Sequence, residues 1–176
     1  MAAVDSASSS TSARFLVVGA GGIGGIVAAH LIEQGHDVTT LTKKAVIADA
    51  INAYGFRVRG ESSPGTVRGR AHHELPKNTS PFDYVLLATQ PPQVEEAARG
   101  VASLLAASGN AVIFQNGLCE ERVSAIVGPE RVIGAVVAWG ASMVEPGVYD
   151  RTSAGGFALG RLDGTYDRVL FDLNSD

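Results

Sequence analysis

The chain has 176 residues, a formal net charge of −4 and 45% hydrophobic residues, which suits one globular domain, or one domain with a fragment of another. The negative charge and the lack of any basic cluster longer than two residues argue against nucleic-acid binding. A single cysteine, Cys119, excludes an internal disulfide and a cysteine-rich metal site, and no apolar run reaches the roughly 18 residues that a membrane span needs. We therefore expect a cytoplasmic protein without metal, nucleic-acid or membrane partners.

The first predicted elements alternate between strand and helix. Residues 1–13, rich in serine and alanine, are predicted to form a disordered tail. The apolar run Phe15–Val18 is typical of a buried parallel strand. Apolar side chains recur at helical spacing over Gly22–Gln34, and Gly35 then ends the helix. The next predicted elements are a strand over Asp37–Thr42, a helix over Ala45–Tyr54, and a hairpin of Phe56–Arg59 with Thr66–Arg70 across Pro64–Gly65.

The second half of the chain continues this alternation. Its predicted elements are a strand over Tyr84–Ala88, a helix over Gln93–Ala107, a strand over Ala111–Phe114, a helix over Cys119–Val127 and a strand over Val132–Ala138. Gly147–Arg151 and Gly156–Gly160 are predicted to form a second hairpin, and a last helix is predicted from Thr165. Strands that alternate with helices imply a mostly parallel sheet with helices on both faces. The predicted fold is a doubly wound, Rossmann-type α/β domain over residues 14–164, with a β-hairpin insertion.

A glycine-rich turn joins the first strand to the first helix. It consists of Gly19, Ala20, Gly21, Gly22, Ile23 and Gly24, which has the glycine spacing of a dinucleotide-binding fingerprint. Gly19 permits the tight turn, Gly21 lets the backbone approach a pyrophosphate, and Gly24 lets the helix pack close to the strand. Free amide groups at the helix start, with the helix dipole, stabilise phosphate charge. The turn predicts a dinucleotide site; the alternative is a glycine-rich turn of another α/β fold.

The end of the second strand indicates which dinucleotide binds. An NAD site usually has Asp or Glu there, about 20 residues after the turn, to hold the ribose 2′-hydroxyl. This chain has Thr42 followed by Lys43 and Lys44, so no acid repels a 2′-phosphate and two cations can pair with it. We therefore predict NADP(H) as the cofactor. The alternative is a solvated lysine pair at the start of a helix.

Three further segments are expected beyond the carboxyl ends of strands, where open α/β sheets bind ligands. They are Thr89–Pro92, Gln115–Gly117 and Trp139–Ala141. Asn116 is a candidate because its amide can donate to and accept from a ribose hydroxyl and a substrate oxygen. The alternative is an Asn-Gly turn that needs a left-handed residue. Gln90 either contacts the cofactor or caps the helix that follows.

Taken together, these segments resemble the N-terminal domain of the ketopantoate reductase (2-dehydropantoate 2-reductase) family. The similar stretches are Val17–Gly24, Leu87–Gln90, Gln115–Leu118, Gly134 and Glu145–Gly160. The resemblance implies NADPH-dependent reduction of 2-dehydropantoate to pantoate, on the route to pantothenate and coenzyme A. It implies that the turn binds the pyrophosphate and that a basic residue near Lys43 meets the 2′-phosphate. It also implies that Asn116 contacts cofactor and substrate, and that Gly140 lies against the nicotinamide half.

Two features depart from the family pattern. The family often has a lysine where this chain has Gln90, which leaves the precise substrate open. The family also has a helical C-terminal domain with a catalytic lysine, and we expect that lysine beyond Asp176 because Lys77 is the last lysine of the chain. Residues 165–176 are accordingly predicted to begin the helix that leads to this domain. The surface that such a domain covers is expected to support self-association, as in a homodimer.

The residues leave three functions open. The first is the cofactor-binding part of a ketopantoate reductase that acts on a small 2-ketoacid. The second, which Gln90 keeps open, is a related NADP-dependent 2-ketoacid or β-hydroxyacid reductase. The third is a stand-alone NADP-binding or sensing module without catalysis.

Overall fold

The structure is a computed structural model that describes residues 12–173, so most of the predicted tail over residues 1–13 lies outside the described residues. The strands are β1 (Arg14–Val18), β2 (Asp37–Leu41), β3 (Phe56–Gly60), β4 (Thr66–Val67), β5 (Arg70–His72), β6 (Phe82–Leu87), β7 (Leu105–Ile113), β8 (Val132–Val137), β9 (Ala141–Glu145), β10 (Val148–Arg151) and β11 (Phe157–Arg161). The helices are α1 (Gly22–Glu33), α2 (Ala45–Tyr54), α3 (Val94–Val101), α4 (Glu120–Val127) and α5 (Arg168–Leu173).

The main sheet has seven strands in the order β11-β8-β7-β6-β1-β2-β5. All neighbouring pairs in it are parallel except β11 with β8. Side chains of β1 alternate between two apolar clusters: Phe15 and Val17 pack with α1 and α2, whereas Leu16 and Val18 pack with α3 and α4. Because both faces are covered by helices, the predicted doubly wound, mostly parallel α/β fold is confirmed.

The strand order reverses at β1. β2 lies on one side of this strand and β6, the next long strand of the main sheet, lies on its other side. The loops that follow β1 and β6 therefore diverge onto opposite faces and leave a crevice at the carboxyl ends of the strands. Such a switch point is where doubly wound sheets bind their ligands.

A second, smaller sheet has the order β4-β3-β10-β9. Its β3–β4 pair is the predicted hairpin insertion, with Phe56 opposite Val67. The predicted second arm, Thr66–Arg70, is too long, because Arg70 belongs to β5 and pairs with Thr39 of the main sheet. Buried Phe56 and Tyr149 pack this sheet into the same cluster as α1.

The helix predicted over Gln93–Ala107 is wrong beyond Val101, where α3 ends. Leu105 instead begins β7 opposite Phe82 of β6 and is buried there. Alanine and leucine are strong helix formers, but helix propensity is worth less than about 1 kcal/mol per residue for ordinary residues, and the burial of Leu105 by strand pairing outweighs it. The last helix also begins later than predicted, because the Asp167 carboxylate accepts a hydrogen bond from the Leu170 amide at 2.9 Å and caps α5.

The hairpin predicted from Gly147–Arg151 and Gly156–Gly160 is wrong as well. The first segment pairs with β9 and β3 in the small sheet, and the second pairs with β8 at the edge of the main sheet. Sequence reasoning missed β9 altogether. Pro146 and Gly147, the latter at φ 73°, turn the chain back along β9, so the true hairpin is β9–β10.

Candidate functional site

The carboxyl ends of four parallel strands meet at one edge of the main sheet. The Gly19 amide donates to the Leu41 carbonyl at 2.8 Å, which joins the end of β1 to the end of β2. The Ala88 amide donates to Val18 at 2.8 Å, and the Phe114 amide donates to Leu87 at 3.1 Å. The segments that contain Lys43, Gln90 and Asn116 therefore all leave the sheet beside the glycine turn.

The glycines of the turn meet the packing needs that the sequence predicts. Gly19 has φ 106°, and a Cβ there would lie 2.6 Å from the Ala88 carbonyl oxygen. A Cβ at Gly24 would overlap the Gly19 carbonyl, so Gly24 lets α1 start directly against β1. Gly21 has nothing within 4 Å of its Cβ position and is exposed. The turn is thus tight on its inner side and open on its outer side.

Three consecutive amide groups of the turn, unlike that of Gly19, have no acceptor in the described part of the chain. Within residues 12–173, no acceptor is bonded to the amide of Gly21, Gly22 or Ile23. The first turn of α1 contains no acidic side chain. Unpaired amides at a helix start carry positive partial charge, so this cradle suits an anionic group. The pyrophosphate site at Gly19, Ala20, Gly21, Gly22, Ile23 and Gly24 stays a prediction.

Lys43 and Lys44 are both exposed beyond the end of β2. The Lys43 Nζ lies 2.9 Å from Glu96 Oε2 on α3, and the two side chains are 61% and 73% exposed. The strand end thus carries two cations, as predicted, but an anion from α3 already neutralises one of them. Sequence reasoning missed Glu96, because nothing local in its sequence reports a pairing across 53 residues.

Gln90 is exposed at the start of a short 3-10 turn over Pro91–Gln93. Its side chain makes no capping hydrogen bond, although its carbonyl accepts from the Gln93 amide at 2.9 Å. Side-chain capping, one alternative that the sequence leaves open, is therefore not how the fold uses Gln90. The exposed side-chain amide of Gln90 could therefore contact a ligand, the other alternative that the sequence leaves open.

Asn116 is exposed one residue beyond a buried glutamine that sequence reasoning missed. Gln115 Nε2 donates to the Thr89 carbonyl at 2.8 Å and ties the loop after β7 to the loop after β6. The left-handed backbone of the Asn-Gly step lies at Gly117 (φ 128°) and Leu118 (φ 57°) and not at Asn116. A turn requirement therefore does not explain Asn116 itself. A polar residue directly after a buried strand was the available signal for Gln115.

Gly140 lies beyond the end of β8 and is held by the loop that follows β10. Its amide donates to Ser153 Oγ at 2.8 Å, and a Cβ there would lie 2.5 Å from Thr152 Oγ1. The neighbouring Ala141 carbonyl would lie 2.7 Å from a Cβ at Gly22. The start of β9 is therefore packed against the start of α1, and Gly140 belongs to the same edge as the glycine turn.

Other features of the molecule contain none of the predicted site residues. Cys119 is wholly buried at the start of α4, at the end of the loop that follows β7. A groove of about 290 Å³ between α1, β11 and the end of α5 is lined mainly by apolar side chains and includes none of the predicted site residues. Among residues 12–173, no group of three or more His, Cys, Asp or Glu side chains could hold a metal ion. No helix in this part of the chain has the length and apolarity to cross a membrane.

A family model described as ketopantoate reductase PanE/ApbA matches residues 15–164. A 2-dehydropantoate 2-reductase of Mesorhizobium japonicum is 30% identical over 174 residues, which cover 86% of this chain and 52% of that protein. A 2-dehydropantoate 2-reductase structure from Geobacter metallireducens GS-15 superposes with a TM-score of 0.82 at 26% identity, covering 92% of this chain and 54% of that one. D-mandelate dehydrogenase with NADH, at TM-score 0.76 and 19% identity, covers 91% of this chain and 50% of that chain and shares the fold. The chain spans about half the length of the curated relatives it matches.

Proposed function

Since the chain belongs to the ketopantoate reductase PanE/ApbA family, we propose that it is the cofactor-binding part of an NADPH-dependent reductase that converts 2-dehydropantoate to pantoate. The observation that carries this proposal is the family match over residues 15–164, supported by the unpaired amides of the glycine turn. The reaction belongs to pantothenate and coenzyme A biosynthesis, and we place it in the cytoplasm.

The residues at the sheet edge fit a dinucleotide. The amides of Gly21 and Gly22 would hold the pyrophosphate, because neither has an acceptor among residues 12–173 and nothing there lies within 4 Å of a Cβ position at Gly21. Lys43 and Lys44 would pair with the 2′-phosphate. Asn116 would bond both cofactor and substrate. Gln90 and Gly140 complete the proposed cofactor contacts, and Gly140 would lie against the nicotinamide half.

The proposed reaction also needs a proton donor, and we find no good candidate for it in this chain. NADPH, held by the glycine turn and by Lys43, would supply the hydride for reduction of the substrate ketone. The resulting alkoxide requires a nearby cation or proton donor. Lys43 and Lys44 are assigned to the far, adenosine end of the cofactor, and Asn116 is neutral. We therefore place the proton donor, a lysine in this family, outside the 176 residues, and expect this chain to bind NADPH without efficient turnover.

A fluorescence titration tests the cofactor assignment. The 176-residue chain is titrated with NADPH and NADH, and we expect tighter binding of NADPH because only NADPH presents a 2′-phosphate to Lys43 and Lys44. Lys43→Gln should reduce the difference between the two cofactors. Equal affinity of the wild-type chain for both would contradict the NADP assignment.

A single-turnover assay tests whether the proton donor lies outside this chain. NADPH-loaded chain is mixed with 2-dehydropantoate, and oxidation of NADPH is followed at its nicotinamide absorbance. We expect little oxidation. Fast oxidation would show that a proton donor lies within the chain and would contradict our placement of it.

The second candidate is a related NADP-dependent 2-ketoacid or β-hydroxyacid reductase. Exposed Gln90, in place of the family's frequent lysine, favours it because a neutral amide interacts differently with the substrate. Gln90→Lys in the parent protein discriminates the two. A selective gain with 2-dehydropantoate over other 2-ketoacids would support this second candidate. A non-catalytic sensing module remains the third candidate, and activity in the parent protein would exclude it.

A further inference from the structure

Tyr149 connects the small sheet to the glycine turn. It lies on β10, its side chain is wholly buried, and its hydroxyl donates to the Ala20 carbonyl at 3.2 Å. The two residues are 129 positions apart in the chain. This hydroxyl is the side-chain donor that contacts the backbone in the middle of the turn, so the small sheet directly supports the candidate site.

The fold makes room for this contact at Gly25 of α1. A Cβ at Gly25 would overlap the Tyr149 ring, so only glycine allows the ring to lie against the helix. The ring also stacks on Phe56 of β3, with centroids 6.2 Å apart. Two elements therefore fix the ring, and its hydroxyl has little freedom to leave the turn.

A peptide unit transmits the effect of this hydrogen bond. In a planar trans peptide, the carbonyl of one residue and the amide of the next point in opposite directions. The unit between Ala20 and Gly21 has its carbonyl held inward by Tyr149, and its amide therefore points outward. The Gly21 amide has no acceptor among the described residues, and Gly21 is exposed.

We propose that Tyr149 is a positioning residue for anion binding: by holding the Ala20 carbonyl inward, it aims the Gly21 amide at the pyrophosphate of the dinucleotide. This inference rests on the proposed function, since it assumes that the turn binds a dinucleotide. If the inference is correct, the small sheet helps to orient the glycine turn and does not only pack beside α1.

The protonation state of Tyr149 suits this role. Burial raises the pKa of its phenol well above the ordinary value, and the nearby Arg57 guanidinium only partly opposes that shift. The hydroxyl therefore remains a donor throughout the physiological pH range. A phenolate could not donate to a carbonyl, so the fold keeps the hydrogen bond intact.

The test is Tyr149→Phe in the 176-residue chain, which deletes the hydroxyl and retains the ring. Binding is measured by titration with two probes: NADPH, which contains the pyrophosphate, and adenosine 2′-monophosphate, which lacks it. Tyr84→Phe is the matched control, because Tyr84 pairs with Phe15 toward the opposite end of the strands. We expect Tyr149→Phe to raise the Kd for NADPH about threefold or more, a modest effect because the hydrogen bond is long. Adenosine 2′-monophosphate binding should stay unchanged, and Tyr84→Phe should affect neither probe.

A second readout needs no ligand. The carbonyl carbon resonance of Ala20 in NMR spectra should shift in Tyr149→Phe, because the carbonyl loses its donor, while circular dichroism confirms that the fold is kept. An unchanged Kd for NADPH in a folded Tyr149→Phe variant, or equal weakening of both probes, would overturn the inference and leave the proposed function intact. Failure of the wild-type chain to bind NADPH would overturn the proposed function itself and the inference with it.

Discussion

Replacing Glu96 by glutamine is expected to strengthen NADPH binding and leave NADH binding unchanged. In the structure, Glu96 pairs with Lys43 at 2.9 Å. A 2′-phosphate that binds Lys43 must displace or share this carboxylate. Glutamine keeps the size of the side chain and removes its charge, so Lys43 becomes fully available to the phosphate.

The size of the effect follows from the exposure of the pair. The side chains of Lys43 and Glu96 are 61% and 73% exposed, and exposed ion pairs contribute about 0.2–1 kcal/mol. Since about 1.4 kcal/mol corresponds to a tenfold change in affinity, loss of the competing pair should lower the Kd for NADPH by about 1.4- to 5-fold. The gain should shrink as ionic strength rises, because salt screens exposed charges.

The assay is titration of the wild-type and Glu96→Gln chains with NADPH and NADH at low and high salt. Glu95→Gln is the matched control: Glu95 is the adjacent acid on α3, but it pairs with Arg122 at 3.1 Å and not with Lys43. It should leave the Kd for NADPH unchanged. Equal tightening of NADH by Glu96→Gln, or equal effects of the two substitutions, would refute the competition between Glu96 and the 2′-phosphate.

Three further predictions concern stability and accessibility. Gly24→Ala should lower the free energy of unfolding by about 1–3 kcal/mol and weaken NADPH binding, because the added methyl overlaps the Gly19 carbonyl. Gly100→Ala is the control and should raise Tm slightly, because no described atom lies within 4 Å of a Cβ at that helical position. Similar Tm values for the two variants would contradict this prediction. Burial lowers the pKa of His30 in the folded chain; nearby Glu33 partly opposes this shift and Arg151 reinforces it. As pH falls, His30 is therefore protonated in the unfolded chain before it is protonated in the folded chain, so the free energy of unfolding should decrease as pH falls below about 6.5. His30→Gln should make urea unfolding less pH-dependent between about pH 7 and 5, and an unchanged dependence would count against the shift. Cys119 is wholly buried, so a thiol reagent should label it only at the rate of unfolding, and rapid labelling of native protein would contradict its burial.

Local sequence patterns were sufficient to predict most parallel strands of the main sheet and its glycine turn. The buried strands were predicted from short apolar runs, and glycines in left-handed backbone marked element ends, with Gly19 at φ 106° after β1 and Gly55 at φ 82° after α2. α2 was predicted with its observed bounds, Ala45–Tyr54. These features depend on neighbours within a few residues, which is why the sequence reports them directly.

Residues of the candidate site were predictable where a strand end implied them. Lys43, Gln90 and Asn116 follow buried strands, and the structure brings these segments to one edge of the sheet. Their contacts with cofactor and substrate remain predictions. The helix predicted through Ala107 shows the limit of this approach, because the pairing of Leu105 with Phe82 outweighs local propensity.

The sequence by itself determined a parallel α/β domain with a dinucleotide-type turn, because strand burial and glycine backbone geometry are local requirements. Only the tertiary structure decided that β10 pairs with β3, that Gln115 ties two loops through Thr89, and that Tyr149 supports Ala20. The same holds for Glu96 beside Lys43. Each of these contacts joins segments far apart in the chain, and no local pattern specifies its partner. Their geometry follows from how the two sheets pack around α1 and from how the loops converge at the strand ends.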